Sequence, residues 1–189
     1  MVPSQGQICG VILCGGRGSR VDGCDKPLLA WRDAPMVDHI QRALSPQVAQ
    51  ILISANRSLE RYAEYGTTIA DHLTGYQGPL AGVHAALHSC TLPYLFVCPG
   101  DSPMLSGDIV QRLARGIGDR VACIAHDGER AQNLHALLET ARASALLETY
   151  LAQGKRSAYG FWSRNAALVD CSDITASFRD FDQFADFSK

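Results

Sequence analysis

A glycine-rich loop directly after an apolar run is the feature that most constrains the fold of this chain. Residues 8–14 are almost all apolar, and Gly15, Gly16 and Gly18 follow at once. Such a run, ended by clustered glycines, is typical of a buried strand that enters a tight turn. Glycines also let a backbone come close to a polyanion and offer it N–H groups. The sequence therefore predicts a phosphate-binding loop after the first strand.

The predicted loop also carries cations that suit phosphate groups. Arg17 and Arg20 lie within it, and Lys26 follows at the start of a new apolar segment. Two common phosphate loops do not fit. A Walker loop needs Lys and then Ser or Thr directly after its last glycine, and a dinucleotide loop needs a glycine where Val21 stands. The alternative is an ordinary glycine turn with solvated arginines, and the Asp25-Lys26 continuation argues against it.

Strand-like runs and helical patterns alternate along the chain. The predicted strands are residues 8–14, 48–54, 94–98, 121–126 and 167–171. The predicted helices are residues 36–44, 58–65, 80–88, 106–115 and 141–151. This alternation predicts an α/β fold, a three-layer sandwich with a mainly parallel, Rossmann-like central sheet. No linker or repeat interrupts it, so we interpret residues 1–189 as one domain, with its ligand at the carboxyl ends of the strands.

Composition narrows the class of protein. The net charge is −2 and no Lys/Arg run is present, which argues against a nucleic-acid partner. The apolar runs are too short to span a membrane, and the first ten residues do not resemble a secretion signal. Seven cysteines, an odd number without C-x-x-C spacing, indicate free thiols in a reducing compartment rather than disulfides or structural zinc. We therefore expect a cytoplasmic enzyme.

A single carboxylate follows the predicted strand 94–98. Asp101 stands between Pro99 and Pro103, in a segment that leaves the end of that strand. Magnesium in proteins commonly binds one or two carboxylates together with substrate phosphates and water. The alternative role is that of a helix cap, although Ser106 and Asp108 stand closer to the next predicted helix. Asp101 is therefore the candidate Mg²⁺ ligand.

Other polar positions follow the remaining strands. The strand 48–54 ends at Ser54, followed by Ala55-Asn56-Arg57, and Asp71 follows a short apolar segment. Gly78 begins a Gly-Pro turn, and Gly82 in the next helix would let a ligand approach the backbone. Each position also has an ordinary structural interpretation as a polar turn or a helix entry. Their common edge of the sheet predicts that they surround one ligand.

These segments together resemble the molybdenum cofactor guanylyltransferases, a family of nucleotidyltransferases, over nearly the whole chain. The opening segment matches the family at Leu13, Cys14, Gly15, Gly16, Arg20, Asp25, Lys26, Leu28 and Leu29. The Gly-Pro-Leu-Ala-Gly segment at residues 78–82 matches residue for residue, and Asp101 falls on the metal-binding aspartate of the family. The opening segment is shared with sugar-phosphate and cytidylyl transferases, so it indicates the superfamily more strongly than the substrate.

The resemblance implies an enzyme that transfers GMP from GTP to the phosphate of molybdopterin and releases pyrophosphate, with Mg²⁺ as its cofactor. It implies catalytic roles for Lys26, Arg20 and Asp101, with the metal at Asp101. The nucleotide-binding residues that it implies are Leu13, Cys14, Gly15, Gly16, Lys26, Ser54, Asp71, Gly78, Gly82 and Asp101. Other cofactor-biosynthesis proteins and acceptor apoenzymes are further candidate partners.

The chain departs from the family pattern at several positions. Ser54 replaces an asparagine that contacts guanine, Cys14 replaces an alanine, and Gly100 replaces a cysteine. Asp180 and Asp182 stand where relatives carry asparagines that help to hold the pterin. A cytidylyl or sugar-phosphate transferase of the same fold therefore stays open as an alternative, as does a non-catalytic nucleotide-binding relative.

One histidine in the C-terminal third has two interpretations. His135 begins an apolar segment that follows a predicted Asp-Gly turn. A lone histidine in such a segment is either a core residue or a residue that faces the acceptor pocket.

Overall fold

A seven-stranded sheet forms the centre of the computed structural model, which describes residues 2–15, 25–71 and 78–181. The strands are β1 (Ile8–Leu13), β2 (Ala30–Trp31), β3 (Ala34–Pro35), β4 (Gln50–Ser54), β5 (Thr67–Ile69), β6 (Tyr94–Pro99), β7 (Ala122–His126), β8 (Ala131–Glu139) and β9 (Ala166–Asp170). The sheet order is β5-β4-β1-β6-β8-β7-β9, and β2 and β3 form a separate hairpin. β8 is antiparallel to both of its neighbours, whereas the other pairs in the large sheet are parallel. The predicted mainly parallel sheet is confirmed.

Helices cover both faces of this sheet. They are α1 (Met36–Leu44), α2 (Leu59–Tyr62), α3 (Pro79–Ser89), α4 (Ile109–Gly116), α5 (Thr140–Ala152) and α6 (Ala158–Asn165). α1 and α4 bury their apolar sides in one core, and α3, α5 and α6 bury theirs in the other. Ile12 belongs to the first core and Val11 to the second, because successive strand residues point to opposite faces. The predicted three-layer sandwich is thus confirmed.

Most predicted elements are present, and the differences have local causes. The helix predicted at 58–65 is the single turn α2, which follows Ser58 in the left-handed region at φ 52°. The helix predicted from residue 106 begins at Ile109. Neither α6 nor β8 was predicted. Gly160 and the adjacent Phe161 and Trp162 hide the helical spacing of α6, because adjacent bulky residues do not form one stripe.

β8 is interrupted by a bulge beside the end of the sheet where β7 finishes. In the pairing with β7, Ile124 lies opposite Ala136, but Ala125 lies opposite Gln132. Residues 133–135 are the extra residues on the β8 side of this shift. A bulge bends its strand and redirects side chains. An uninterrupted alternation of apolar residues is therefore missing from the first half of β8, which is why the sequence pattern did not reveal the strand.

The chain after β9 returns across the sheet towards the loop that follows β6. The 3₁₀ segment Ser172–Phe178 leads to Phe181, which is buried against Trp31 and Met36. The Phe181 N–H donates to the Asp101 carbonyl at 3.1 Å. The C-terminal part of the described chain therefore fastens the loop that carries the predicted metal ligand.

Two further expectations concern the cysteines and the membrane. Six of the seven cysteines lie in the described part of the chain, and all six are buried and free of disulfides. Within that same part, none of the helices combines the length and the apolar character needed to cross a membrane.

Candidate functional site

A cleft lies at the carboxyl ends of β1, β4 and β6, the edge at which the sequence predicted a ligand. Its volume is about 200 Å³. Among the residues that line it are these predicted positions: Leu13, Cys14, Gly15, Lys26, Ser54, Asp71, Gly78, Gly82 and Asp101. Gly16 and Arg20, the other predicted positions, lie outside the described residues. The topology therefore brings together side chains that are up to 88 residues apart in sequence, from Leu13 to Asp101.

The central contact of the cleft joins Lys26 to Asp101. The Lys26 Nζ lies 2.7 Å from the Asp101 Oδ2, and the two side chains are 16% and 27% exposed. Lys26 begins a short 3₁₀ turn whose next two residues, Pro27 and Leu28, are buried and fix its position. Charges that are partly removed from water attract each other more strongly than a surface pair. In this structure, Lys26 neutralises the carboxylate that the sequence predicted as a metal ligand.

A second acidic residue, Asp25, is held by Tyr62 and Arg57, of which the sequence analysis placed only Arg57 at the ligand edge. The Tyr62 hydroxyl donates to the Asp25 Oδ1 at 2.9 Å, and the Arg57 Nε lies 3.5 Å from its Oδ2. Burial raises the pKa of Tyr62, so this residue is a neutral donor. These contacts anchor the chain just before Lys26. Arg57 was visible at the end of a predicted strand, whereas nothing in the local sequence indicated Tyr62.

Asp71 is oriented by Asn56. The Asn56 side-chain amide donates to the Asp71 Oδ2 at 2.8 Å, and the Asp71 N–H donates to the Asn56 Oδ1 at 2.9 Å. The other carboxylate oxygen, Oδ1, is buried and has no hydrogen-bond partner within the described part of the chain. Buried acceptors are normally satisfied. Because Asp71 lines the cleft, this carboxylate is a candidate acceptor for a ligand.

Gly82 allows α3 to pack closely on β1 and β4. A Cβ at this position would lie 2.5 Å from the Ser54 Oγ and 3.1 Å from the Leu13 Cδ2. Ser54 itself is only 2% exposed. The absence of a side chain at Gly82 thus serves helix packing, in addition to any approach by a ligand. Gly78, before α3, has φ 78°, a conformation that glycine adopts without strain.

Gly100 packs against Cys14, which lines the cleft. A Cβ at residue 100 would lie 2.8 Å from the Pro27 Cγ, 2.9 Å from the Leu13 carbonyl oxygen and 3.0 Å from the Cys14 Sγ. Glycine at this position is therefore a packing requirement as well as a turn residue. Burial raises the pKa of the Cys14 thiol well above its usual value, so this residue is a neutral wall of the cleft and not a nucleophile.

The charges of the described cleft favour an additional cation. Its lining contains the carboxylates of Asp25, Asp71 and Asp101 but the cations of only Lys26 and Arg57. This described lining therefore cannot by itself neutralise an anionic phosphate chain. Carboxylate and phosphate oxygens are the ligands that Mg²⁺ prefers. The donors present at Asp101 consequently fit a magnesium ion shared with a bound phosphate.

The structure separates the two interpretations of His135. This residue is 2% exposed and packs edge-on against Phe178, with ring centroids 5.0 Å apart. Burial lowers the pKa of His135 to about 3, so it is a neutral core residue. Its neighbour on the bulge, Leu134, lines the cleft instead. The core interpretation therefore describes this histidine.

Asp180, one of the two aspartates that depart from the family pattern, lies beside the loop that follows β6. The Asp180 Oδ1 accepts a hydrogen bond from the Ser102 hydroxyl at 3.3 Å. Asp182, the second such residue, lies outside the described residues. The C-terminal segment thus returns to residues 101 and 102 beside the cleft.

Comparison with known proteins gives consistent results. The family described as MobA-like NTP transferase domain matches residues 10–167. A molybdenum cofactor guanylyltransferase from Photobacterium profundum is 39% identical over 94% of this chain and 92% of its own length. One from Ralstonia nicotianae is 36% identical over 98% of this chain and 96% of its own length.

A solved structure also resembles the chain. Molybdopterin-guanine dinucleotide biosynthesis protein A from Archaeoglobus fulgidus superimposes with a TM-score of 0.78, covers 95% of this chain and 94% of its own, and is 21% identical. At this identity, the likeness supports the fold alone.

Proposed function

The chain belongs to the MobA-like NTP transferase family, and we propose that it is a molybdenum cofactor guanylyltransferase. Such an enzyme transfers GMP from GTP to the phosphate of molybdopterin and releases pyrophosphate. The observation that carries the proposal is the Lys26–Asp101 pair, which lies in a cleft at the carboxyl ends of parallel strands. The Lys26 ammonium group and the Asp101 carboxylate are close enough together to act on the same bound phosphate, the carboxylate through a metal ion.

The reaction is a phosphoryl-type substitution between two anions. A phosphate oxygen of the acceptor forms a bond to the α-phosphorus of GTP, and the bond from that phosphorus to pyrophosphate breaks. Catalysis of such a step depends mainly on positioning and on neutralisation of charge. Lys26, Arg20 and the backbone N–H groups of Gly15 and Gly16 supply that positive character. A covalent intermediate with the protein is not required.

Magnesium is the proposed cofactor, and Asp101 would hold it. Mg²⁺ would neutralise phosphate charge and activate the bound phosphate for attack. The Asp101 carboxylate accepts a hydrogen bond from the Lys26 ammonium group, and the Asp101 main-chain carbonyl accepts one from the Phe181 N–H. Asp101 is therefore fixed before any substrate binds.

The nucleotide is proposed to lie across the ends of β1 and β4. Asp71 accepts a hydrogen bond from a donor of the nucleoside through the Oδ1 that lacks a partner among the described residues. Leu13 and Cys14 lie beside the base, and Gly78 and Gly82 border it at the start of α3. Ser54 offers only a short hydroxyl, so we expect the discrimination of guanine to rest mostly on other groups.

The acceptor and the setting of the reaction complete the proposal. Molybdopterin is proposed to bind on the side of the cleft where Asp180 meets Ser102. Other cofactor-biosynthesis proteins and acceptor apoenzymes are proposed as partners that deliver or receive the cofactor. We propose that the reaction takes place in the cytoplasm.

A nucleotide-specificity assay tests the function. Purified protein is mixed with molybdopterin, Mg²⁺ and one of GTP, CTP, ATP or UTP, and pyrophosphate release is measured. We expect release that depends on molybdopterin and that is fastest with GTP. Faster turnover with CTP would assign the chain to the cytidylyl transferases. An absence of turnover with every nucleotide, although nucleotide binds, would favour a non-catalytic relative.

The metal assignment is tested with Asp101→Asn. The amide keeps the shape of the side chain but loses its charge and one acceptor oxygen. We expect magnesium-dependent transfer to be abolished while metal-free nucleotide binding is largely retained. Asp33→Asn, which removes an equal charge from a side chain that is 77% exposed, is the matched control. An unchanged magnesium titration in Asp101→Asn would reduce Asp101 to a loop residue.

A further inference from the structure

A cluster of metal-ligating side chains lies outside the cleft, where α3 packs beside α5. His84 and His88 are one turn apart on α3, and Glu148 is on α5. Each offers one ligand atom, and these three atoms lie within 4.8 Å of one another. Two imidazoles four residues apart on a helix project from the same face. The third ligand is supplied by the neighbouring helix.

The hydrogen bond of His88 fixes which of its ring nitrogens faces the cluster. The His88 Nδ1 lies 2.9 Å from the carbonyl oxygen of His84. A carbonyl only accepts, so Nδ1 carries the hydrogen and, in the neutral ring, Nε2 carries the lone pair. Nδ1–H bonded to a backbone carbonyl is a common second-shell arrangement of metal-bound histidines. The lone pair of Nε2 is therefore directed towards the cluster.

The contact between the His88 Nε2 and the Glu148 carboxylate would be stabilised by a cation. The His88 Nε2 lies 3.1 Å from the Glu148 Oε1, and a carboxylate oxygen and an imidazole lone pair repel each other. Either a proton on the imidazole or a metal ion between the two atoms removes that repulsion. Two atoms bound tetrahedrally to zinc at about 2.0–2.1 Å lie about 3.4 Å apart. The observed separation is thus close to that of two zinc ligands.

His84 is placed to complete such a site. Its ring lies against that of His88, with centroids 4.3 Å apart and planes inclined by 46°. Because the ligand atoms lie within 4.8 Å, a shift of at most about 1.4 Å brings the widest pair to a tetrahedral spacing. A fourth position would be left for water, since two of the side chains are exposed.

We propose that His84, His88 and Glu148 bind a divalent transition-metal ion of the zinc class. Imidazole nitrogens select such ions, whereas Mg²⁺ prefers oxygen ligands, so this site and the one proposed at Asp101 differ in metal preference. The bound ion links α3 to α5. Because α3 begins at Pro79 in the wall of the cleft, the site braces the helix that borders the nucleotide in the proposed function.

The test is a calorimetric titration of the metal-free, full-length protein with Zn²⁺. We expect one saturable site that excess Mg²⁺ does not displace. His84→Gln, His88→Gln and Glu148→Gln should each weaken Zn²⁺ binding by about tenfold or more, the scale expected for loss of a ligand or of its support. His126→Gln and Glu64→Gln, which remove the same chemical groups elsewhere, should leave binding unchanged.

A Co²⁺ spectrum distinguishes this site from the cysteines. We expect d–d bands of nitrogen and oxygen ligation without thiolate-to-cobalt charge transfer, and loss of these bands in His88→Gln. Thiolate bands, Zn²⁺ binding that all three variants retain, or displacement by Mg²⁺ would each overturn the proposal. An absence of Zn²⁺ binding would also overturn it.

Discussion

At the residue scale, the site depends on charges that are balanced before a substrate arrives. Lys26 and Asp101 are in direct contact, and both are mostly shielded from water. A partly buried carboxylate without a partner would be unfavourable, and the same is true of the ammonium group. Each side chain therefore holds the other in the cleft. In the proposed reaction, a lysine already in position would reduce the ordering needed when a phosphate binds.

Replacement of Lys26 tests its proposed contact with the phosphates. We expect Lys26→Ala to lower kcat by about two to four decades, equivalent to about 3–5 kcal/mol of transition-state stabilisation. The fold should persist, because the neighbouring Pro27 and Leu28 keep their buried packing. Turnover and circular dichroism of the variant are the measurements. Lys155→Ala, at an exposed lysine far along the chain, is the control, and near-normal turnover in Lys26→Ala would contradict the role.

The buried histidine predicts a pH dependence of stability. Burial lowers the pKa of His135 to about 3, whereas the unfolded chain has a value near 6.5. Below pH 6.5 the unfolded state therefore binds more protons, so stability contributed by neutral His135 is complete above that pH and is lost as the pH falls towards 3. Between pH 7 and pH 5 the loss is about 2 kcal/mol.

The measurement is the free energy of unfolding in urea at pH 7 and at pH 5, in the wild type and in His135→Gln. Glutamine does not titrate, so the variant should be less stable at pH 7 but should lose about 2 kcal/mol less on acidification. Equal losses in the two proteins would mean that His135 becomes protonated without unfolding.

At the element scale, α3 packs closely on the sheet because its residue Gly82, which has no side chain, lies against Ser54. The start of this helix reaches β4 because Gly82 leaves room for the Ser54 hydroxyl. The same helix borders the cleft with Gly78 and Pro79. Close packing of α3 on the sheet therefore helps to position the cleft wall that Pro79 and Gly82 line.

A double-mutant cycle tests this packing. We expect Gly82→Ala to destabilise the protein by about 1–3 kcal/mol, the usual range for overpacking, because the new methyl group collides with the Ser54 Oγ. Ser54→Ala removes that oxygen, so the double variant should recover part of the loss. Urea unfolding of all four proteins gives the coupling energy. Additive losses would show that the two residues do not interact.

The start of α4 illustrates how a distant residue sets the bounds of an element. The Gln47 Oε1 accepts from the Val110 N–H, and the Gln47 amide donates to the Ser106 carbonyl. Gln47 thus supplies the partner for a helix N-terminus more than 60 residues away. Ser106 and Asp108 instead bond to each other through their side chains. A local capping rule places the helix start at Ser106, three residues too early.

At the scale of the whole molecule, the C-terminal segment connects the far edge of the sheet to the loop that carries Asp101. Phe181 lies with its ring centroid 5.3 Å from that of Trp31, in a small core that also contains Met36. Its backbone N–H bonds to Asp101. Three separate parts of the chain, the β2–β3 hairpin, the loop after β6 and the C-terminal segment, therefore meet at this point.

Truncation of this anchor should affect both stability and activity. We expect Phe181→Ala to cost about 3–5 kcal/mol, as for other buried aromatic residues. At roughly 2–4 °C per kcal/mol, this is a clear fall in Tm. The kcat at a temperature where the variant is folded should also fall, because the Asp101 loop loses its support. Tyr159→Ala, at an aromatic side chain that is 68% exposed, is the control. A fall in Tm with unchanged kcat would limit Phe181 to a structural role.

The sequence by itself determined the layered fold and the edge at which the site lies. Apolar runs such as 94–98 predict buried strands because a strand covered on both faces must be apolar throughout. Once parallel strands are predicted, Ser54 at the end of one strand and Asp101 just after another share one edge, and Asp71 follows a short apolar segment in the same way. Nearest-neighbour patterns are sufficient for these conclusions.

Only the tertiary structure decided which groups contact each other. The Lys26–Asp101 pair, the bond from Tyr62 to Asp25 and the fit of Cys14 against Gly100 join residues that are far apart in sequence. β8 was missed because its bulge breaks the alternation of apolar residues. Such contacts depend on chain crossings and on packing volumes, which a local pattern does not contain.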